Sequence, residues 1–390
     1  MRVSMPTIFS YIQRNLQNLS EELFKINNSI SSGQKYSSIS DNPVDVGALL
    51  GLTTDSDQVS QYKRNLETAN DWLAITESTL SDIGEIVRTC SVTAEQMATG
   101  TYNAAQRIAG AQTVQQMLDE AVQTGNTNYK GQYILSGYKI DSQPFVESAF
   151  TIQNPVMKLQ PGSTGTAASG GAYIGTTTKT YVVEIVQGGV TGVATFRYSE
   201  DGGQTWSDPP VVTGAAVAVG TEGVNATFGG TWVAGDRFSI PVYEPITYQG
   251  DDNTLEIGIG RNSRLAVNQV GSDALGGTGG STDIFDILAQ LKSSLEANDP
   301  YEAAASLERL NTFQNQINAT LAGLGASLNR VTIKNNVYDT LQGALTDNIA
   351  EKGDTDLVEA ANALATTQLA YQAALASSTL VMNMSLLDYM

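Results

Sequence analysis

The apolar residues of this chain recur at two different periods, and the switch between them divides it into three stretches. From Thr7 onward, Ile8, Ile12, Leu16, Leu19, Leu23, Ile26 and Ile30 follow at steps of four and three. That spacing puts all of them on one side of a helix. Ser32-Gly33 stops the pattern. In "SISDNPVDVGALL" Asn42 reads as an N-cap, Pro43 as a first helical residue, and Asp45 lies three residues after the cap. A seam then runs from Leu52 through Asp55, Val59, Tyr62, Leu66, Ala69, Leu73, Thr76, Leu80, Ile83 and Val87 to Cys90. The pattern lasts to about Ala98, which predicts a rod of roughly 80 Å at about 1.5 Å per residue. "TGTYN" breaks it, and a shorter helix carries Ile108, Met117, Leu118 and Val122. Residues 126–145 read as a turn, an apolar strand and an exit loop.

From about 146 to 276 Gly, Thr, Val and Ala dominate. Short strands are predicted at "TYVVEIV", "VATFRYS", "DRFSIPVYE" and "NTLEIGIG", separated by turn signals. "GGTGGSTD" reads as a flexible return. Helices resume at Asp283, and "NDPYEAA" offers Asp299 as cap, Pro300 at the first position and Glu302 to complete a capping box. Leu310, Ile317, Leu324, Val331, Tyr338 and Leu345 then recur every seven residues. Leu321 and Leu328 fill the other core position, and Gln314 and Asn335 interrupt it. Gly353 ends this helix, and Asp354 or Thr355 is expected to start the last. Its seam is Leu357, Ala361, Leu364, Gln368, Tyr371, Leu375, Ser378 and Met382.

The pattern predicts an α+β fold: a long coiled-coil-like helical bundle built from both chain ends, with an inserted antiparallel β domain. The expected division is 1–35 with 355–390 as a terminal-helix domain, 36–145 with 277–354 as a helical rod, and 146–276 as the insert. The terminal seams are short for isolated helices. The last is rich in Ala and Ser, so it buries little area per residue. Either the ends pair and pack on the protein's own body, or they order only when many copies pack together; the second reading is preferred. The packing positions expected to carry assembly are Leu16, Leu19, Leu23 and Ile26 at one end, and Leu364, Tyr371, Leu375, Leu386 and Leu387 at the other.

Composition narrows the chemistry. Lys and Arg number 21 against 40 Asp and Glu, a net charge of −19, which disfavours nucleic acid as a partner. There is no histidine, so His-dependent catalysis and most zinc sites are excluded. No cofactor and no metal site is expected, and the chain is not read as an enzyme. The lone Cys90 lies on the apolar stripe and reads as a small buried side chain. The N-terminus lacks the pattern of a cleaved signal peptide, and no run of 18 apolar residues predicts membrane insertion.

The stretches "ISSGQKYSSISDNPVD", "QYKRNLETANDWLAITESTL", "NTNYKGQYILSG", "ITYQGDDNTLEIGIGRNSRLAVNQVGSDAL" and "QLAYQAALASSTLVMNMSLLDYM" together resemble the flagellin superfamily, and within it the branch of hook–filament junction proteins. The acidic-Pro form at Asp41–Pro43 is similar to that branch rather than to filament subunits. The resemblance covers the two helical ends. It implies a structural subunit of the bacterial flagellum, placed extracellularly and exported unfolded by the flagellar type III route. The implied partners are further copies of the chain in a helical ring, a preceding hook-associated protein, flagellin, and an export chaperone at the C-terminal segment. The alternatives are a flagellin itself, or a secreted glycan-binding protein using the insert.

That last alternative rests on "SEDGGQTW", residues 199–206, which resembles the Asp-box of sialidases and other propeller glycosidases. Such propellers carry several copies, whereas here one stands alone in an insert too short for six blades. The motif is therefore expected to be a tight hairpin. Asp201 would bond backbone amides, Gly202 and Gly203 would supply the turn, and Trp206 would pack beneath.

Overall fold

The computed structural model describes residues 5–279 and 282–387, with side chains described for Thr7, 9–279 and 282–379. The fold is mixed α+β. Its helices are α1 (Met5–Ser32), α2 (Pro43–Ala98), α3 (Ala104–Gly125), α4 (Gly271–Ala274), α5 (Ile284–Glu296), α6 (Pro300–Gly353) and α7 (Leu357–Leu387). The chain divides into two compact units, one drawn from residues 1–65 and 333–390, the other from 66–332.

In the first unit α1 packs along α7. The start of α2 lies against the end of α6, where Tyr62 stacks on Tyr338 at 5.7 Å. Lys63 Nζ is 2.5 Å from Asp339 Oδ1, and Gln342 Nε2 donates to Ser56 Oγ at 2.7 Å. The Asp45 amide donates to Asn42 Oδ1, which caps α2. Upstream, the Asp41 carboxylate collects the Ser37 and Ser38 amides. The start of α7 differs from the sequence expectation: the Val358 and Glu359 amides converge on Asp356, so Asp356 is the cap. Asp354 instead bridges to Gln34, which takes its backbone out of the capping position.

In the second unit Leu66, Leu73, Leu80, Ile83, Val87 and Cys90 line the buried side of α2, and Leu310, Ile317, Leu324 and Val331 that of α6. The two helices approach at Gly84, where a Cβ would lie 3.6 Å from Ile317. Burial pushes the Cys90 thiol up to about 12. The capping at α6 follows the sequence, with the Tyr301 and Glu302 amides on Asp299 Oδ1. On α3 the buried face is smaller than predicted. Gly110, Ala111, Val114 and Ala121 pack inward with Arg107, while Ile108, Met117, Leu118 and Val122 are half-buried. α3 packs along α5, and Gly110 lies against Met97 of α2, where a Cβ would sit 3.3 Å from its side chain. Arg107 donates to Met97 O, Thr99 O and Asn298 Oδ1, tying one interhelical turn to another.

The apolar strand expected within 126–145 is shorter than its apolar run and stops at Tyr133. Asn128–Tyr129 pairs with Gln132–Tyr133, and the following turns are tied to the return segment instead. There the Tyr248 hydroxyl donates to Leu135 O, and the Tyr138 amide to Asp251 Oδ1. Ile134 and Leu135 are buried by those ties.

The insert holds one sheet in the order Val211–Val212, Thr195–Ser199, Lys179–Gln187, Arg237–Tyr243, Thr151–Ile152, with Val156–Lys158 also on Arg237–Tyr243. A second sheet orders Val217–Ala218, Val224–Gly229 and Thr166–Gly171. All pairings are antiparallel. Between them lie Tyr181, Phe196, Phe228, Trp232 and Phe238, with the Phe196 and Phe228 rings 4.6 Å apart. Gly165 admits Trp232 so closely that a Cβ would sit 2.5 Å from its ring. The insert is seated on α5 by Tyr243 to Asp286 (2.5 Å) and Thr180 to Ser293 (3.0 Å). The glycine return is held rather than loose over 277–279, where three successive amides converge on the buried Asp283.

Asp236, fully buried, accepts from the Gln160 and Val233 amides and the Ser163 hydroxyl at 2.6–2.7 Å. Asp236→Ala strands all three donors and should cost roughly 2–4 kcal/mol. Denaturant unfolding followed by tryptophan fluorescence would measure it, and a loss below about 0.5 kcal/mol would contradict the reading.

Candidate functional site

The residues expected to carry assembly sit on α1 and α7. Ile12, Leu16, Leu19, Leu23, Ile26 and Ile30 are half-buried while, up to Asn27, the residues between them face solvent, so the four-and-three spacing does mark the inner side of α1. On α7 the inward stripe is displaced from the one read in sequence. Ala360 and Thr367 are buried, and Ala363, Leu364, Tyr371, Ala374 and Ser378 are half-buried. Leu357, Ala361, Gln368 and Leu375 are exposed. Alanine satisfies either face, so spacing alone chose the wrong register for half of the stripe. Leu386 and Leu387 belong to the last turn of α7, and their side chains lie outside the described residues, as does that of Met382.

The two helices are joined where each begins or ends. The Lys35 amide donates to Gly353 O at 2.7 Å, and the Thr355 amide to Gly33 O at 2.9 Å. Gly33 takes a φ of +71°, which an L side chain adopts only with strain. The link sets the C-terminal end of α1 beside the N-terminal end of α7.

What the pair leaves uncovered is as informative as what it buries. On α1 Phe9, Tyr11 and Phe24 are exposed, Phe24 by 68%. On α7 Leu357, Val358 (73%), Leu369 (67%) and Leu375 (42%) are exposed. Ile39, Val44, Leu50, Ile333, Val337 and Leu341 of the same unit are exposed as well. These exposed apolar side chains are what α1, α7 and the adjoining parts of α2 and α6 present to solvent within this unit. Sequence reading missed most of these positions because it followed the seams; the signal available was the set of large apolar residues lying off them.

The "SEDGGQTW" hairpin is built as the sequence predicts. Asp201 Oδ1 accepts from the Gln204 amide (3.0 Å), the Thr205 amide (2.8 Å) and the Ser199 hydroxyl (2.7 Å). Asp201 Oδ2 accepts from the Thr205 hydroxyl (2.6 Å). The Gly203 amide donates to Ser199 Oγ at 2.7 Å. Gly202 and Gly203 have φ of +74° and +89°, and a Cβ on Gly202 would strike Glu296 O at 1.9 Å. Trp206 lies against the Arg197 guanidinium, 4.4 Å away. Beside the hairpin is an open cleft of about 270 Å³ lined by Ile108, Thr178, Glu200, Gln204 and Glu296, among others. Its carboxylates are engaged within the chain: Glu200 with Lys179 (3.4 Å), and Glu296 with the Thr180 hydroxyl and Lys292. Burial holds the Glu296 carboxyl above its ordinary value against those partners. The motif's polar groups thus close the turn and anchor it to the end of α5. Among the described residues no group of three or more Cys, Asp or Glu is placed to hold a metal ion.

Two measurements follow. Leu23→Asp should lower hydrogen-exchange protection roughly tenfold in both α1 and α7 while leaving the 66–332 unit unchanged; loss confined to α1 would contradict the pairing. Burial pushes the Asp201 carboxyl up, but the Thr205 hydroxyl and amide, Ser199 and Gln204 outweigh it and hold it below its ordinary value. A depressed folded-state value means the native state binds the proton less tightly. The stability from Asp201 is therefore present above about pH 4 and lost as pH falls through the depressed value. Asp201→Ala should cost roughly 1–3 kcal/mol near neutrality and flatten that acid limb in a pH series of thermal melts.

Residues 3–140 match the family described as the bacterial flagellin N-terminal helical region. The chain is 26% identical over 146 residues to flagellar hook-associated protein 3 of Salmonella typhimurium, covering 37% of this chain and 46% of that one. It is also 26% identical over 148 residues to flagellar hook-associated protein 3 of Escherichia coli, covering 38% and 47%. The matches thus span about half the length of these curated relatives. In fold, the chain is similar to a candidate flagellar hook-associated protein from Vibrio parahaemolyticus, with a TM-score of 0.51 at 12% identity over 80% of this chain and 100% of that one. The resemblance read from the sequence is thereby joined by an independent match, which reaches residues 3–140 of this chain.

Proposed function

We propose that the protein is a structural subunit of the bacterial flagellum, a hook–filament junction protein that joins the hook-associated zone to the flagellin filament. The observation that carries this reading is the apolar surface left uncovered along α1 and α7, of which α1 lies within the residues matched by the flagellin N-terminal region. The names of the curated relatives favour the junction over the filament itself. The activity is assembly, with no chemical step. Residues 1–35 and 355–390 form the inner-tube segment, 36–145 and 277–354 the rod, and 146–276 the outward insert. The heptad stripes of both ends bundle within one copy and against its neighbours in a heterologous, head-to-tail arrangement. Leu16, Leu19, Leu23, Ile26, Leu364, Tyr371, Leu375, Leu386 and Leu387 are the packing positions.

The partners in this reading are further copies of the chain, a preceding hook-associated protein, flagellin, and an export chaperone at the C-terminal segment. Export proceeds unfolded through the flagellar type III route to the cell exterior. A chain with one buried thiol and therefore no internal disulfide suits such threading, because nothing covalent has to be undone.

Deleting residues 380–390 should leave a folded, soluble protein with an unchanged melting transition for the 66–332 unit. Cells carrying it should build hooks and release unattached filament subunits into the medium. Normal filaments on such cells would overturn the assembly reading.

A further inference from the structure

The α1–α7 junction has an open side. A groove of about 350 Å³ runs over Ile26 and Ser29 of α1 and Ala360 and Ala363 of α7. Its rim carries Glu351, Asp354, Asp356 and Glu359, with Lys35 as the opposing cation. Asp356 is partly committed to capping α7, while Glu351, Asp354 and Glu359 are exposed. Thr355, which also lines the groove, has its hydroxyl oxygen shut from solvent with no hydrogen-bond partner among the described residues. The floor is apolar and small-residued and the rim is acidic, so the complementary occupant is a narrow apolar segment bearing positive charge.

The chain itself contains one. Its first twenty residues hold Arg2 and Arg14 and no Asp or Glu, in a protein with 40 acidic residues against 21 basic, and Val3, Met5, Ile8 and Phe9 lie between the two arginines. Within one copy this segment cannot reach the groove. Met5 and Ile26 lie on the same helix, 21 residues apart, which is about 30 Å at 1.5 Å per residue. A neighbouring copy displaced along α1 can supply it.

We propose that this groove receives the basic N-terminal segment of a second copy of the chain, making a head-to-tail contact between successive subunits. The inference rests on the assembly reading above and deepens it by naming the two surfaces that meet. Apolar residues of the incoming segment lie over Ile26, Ala360 and Ala363, and Arg2 faces Glu351 and Glu359. Because the rim is exposed, the contact weakens as salt shortens the screening length below about 8 Å.

The test is sedimentation velocity of the full-length chain over a concentration and salt series, with charge-reversed variants. Arg2→Glu alone, and Glu351→Lys with Glu359→Lys, should each raise the concentration needed for self-association roughly tenfold. Combining all three reversals should restore it. Mixing the two defective variants should also restore association, in alternating order, since the unaltered groove of one takes the other's arginine and the reversed groove takes the reversed N-terminus. The neutral variants Glu351→Gln and Glu359→Gln should fall between, which keeps the test informative if a reversal harms folding. A wild type that associates but ignores every reversal overturns the groove and leaves the assembly reading standing. A wild type that never associates overturns both. Loss of association on reversing the groove without rescue by Arg2→Glu assigns the groove to another basic segment and overturns the N-terminal occupant.

Discussion

Two short backbone links, Lys35 to Gly353 and Thr355 to Gly33, set the geometry on which the first unit depends. Each lies at a turn between a terminal helix and a long one. Together they bring the end of α1 to the start of α7, although more than three hundred residues separate them in the chain. Neither terminal helix has a strong reason to persist alone: half-buried leucines line one, and alanine, threonine and serine much of the inner side of the other. Fixing their ends side by side removes most of the entropy that a weak seam would otherwise have to overcome. Gly33 sits at the hinge because the backbone there needs a positive φ.

The helical framework was legible in sequence to within a residue or two. Capping explains why. Asn42 with Pro43 and Asp299 with Pro300 place a side-chain acceptor and a ring-fixed φ exactly where a helix begins, and these signals are local. The long seam on α6 was equally plain, since Leu310, Ile317, Leu324, Val331, Tyr338 and Leu345 all turn out buried. What failed was the register of α7, where alanine fits both faces, and the start of that helix, where three acidic or hydroxyl residues compete and long-range pairing to Gln34 decided among them.

The insert was half legible. Strands rich in Val, Ile, Tyr and Phe were found, but Thr166–Gly171 was not, because Ala, Ser and Gly have no intrinsic reason to form a strand. Its partner Val224–Gly229 supplies the pairing and the buried Val224, Ala226 and Phe228. Residues 126–145 fell short for the opposite reason. Their apolar run looks like a strand but past Tyr133 is buried by turns bonded to Tyr248 and Asp251, more than a hundred positions later. The uncovered apolar face of the terminal helices was invisible to a method that looks for seams, because such positions register only as departures from the pattern.

The chain's single sulfhydryl has a bearing on its fate outside a reducing compartment. Cys90 is enclosed within the α2 seam, and its proton is held well beyond neutrality. Thiolate is the species that attacks another sulfur or an oxidant. Copies of the chain that meet an oxidant would therefore have no ready path to covalent dimers through this residue.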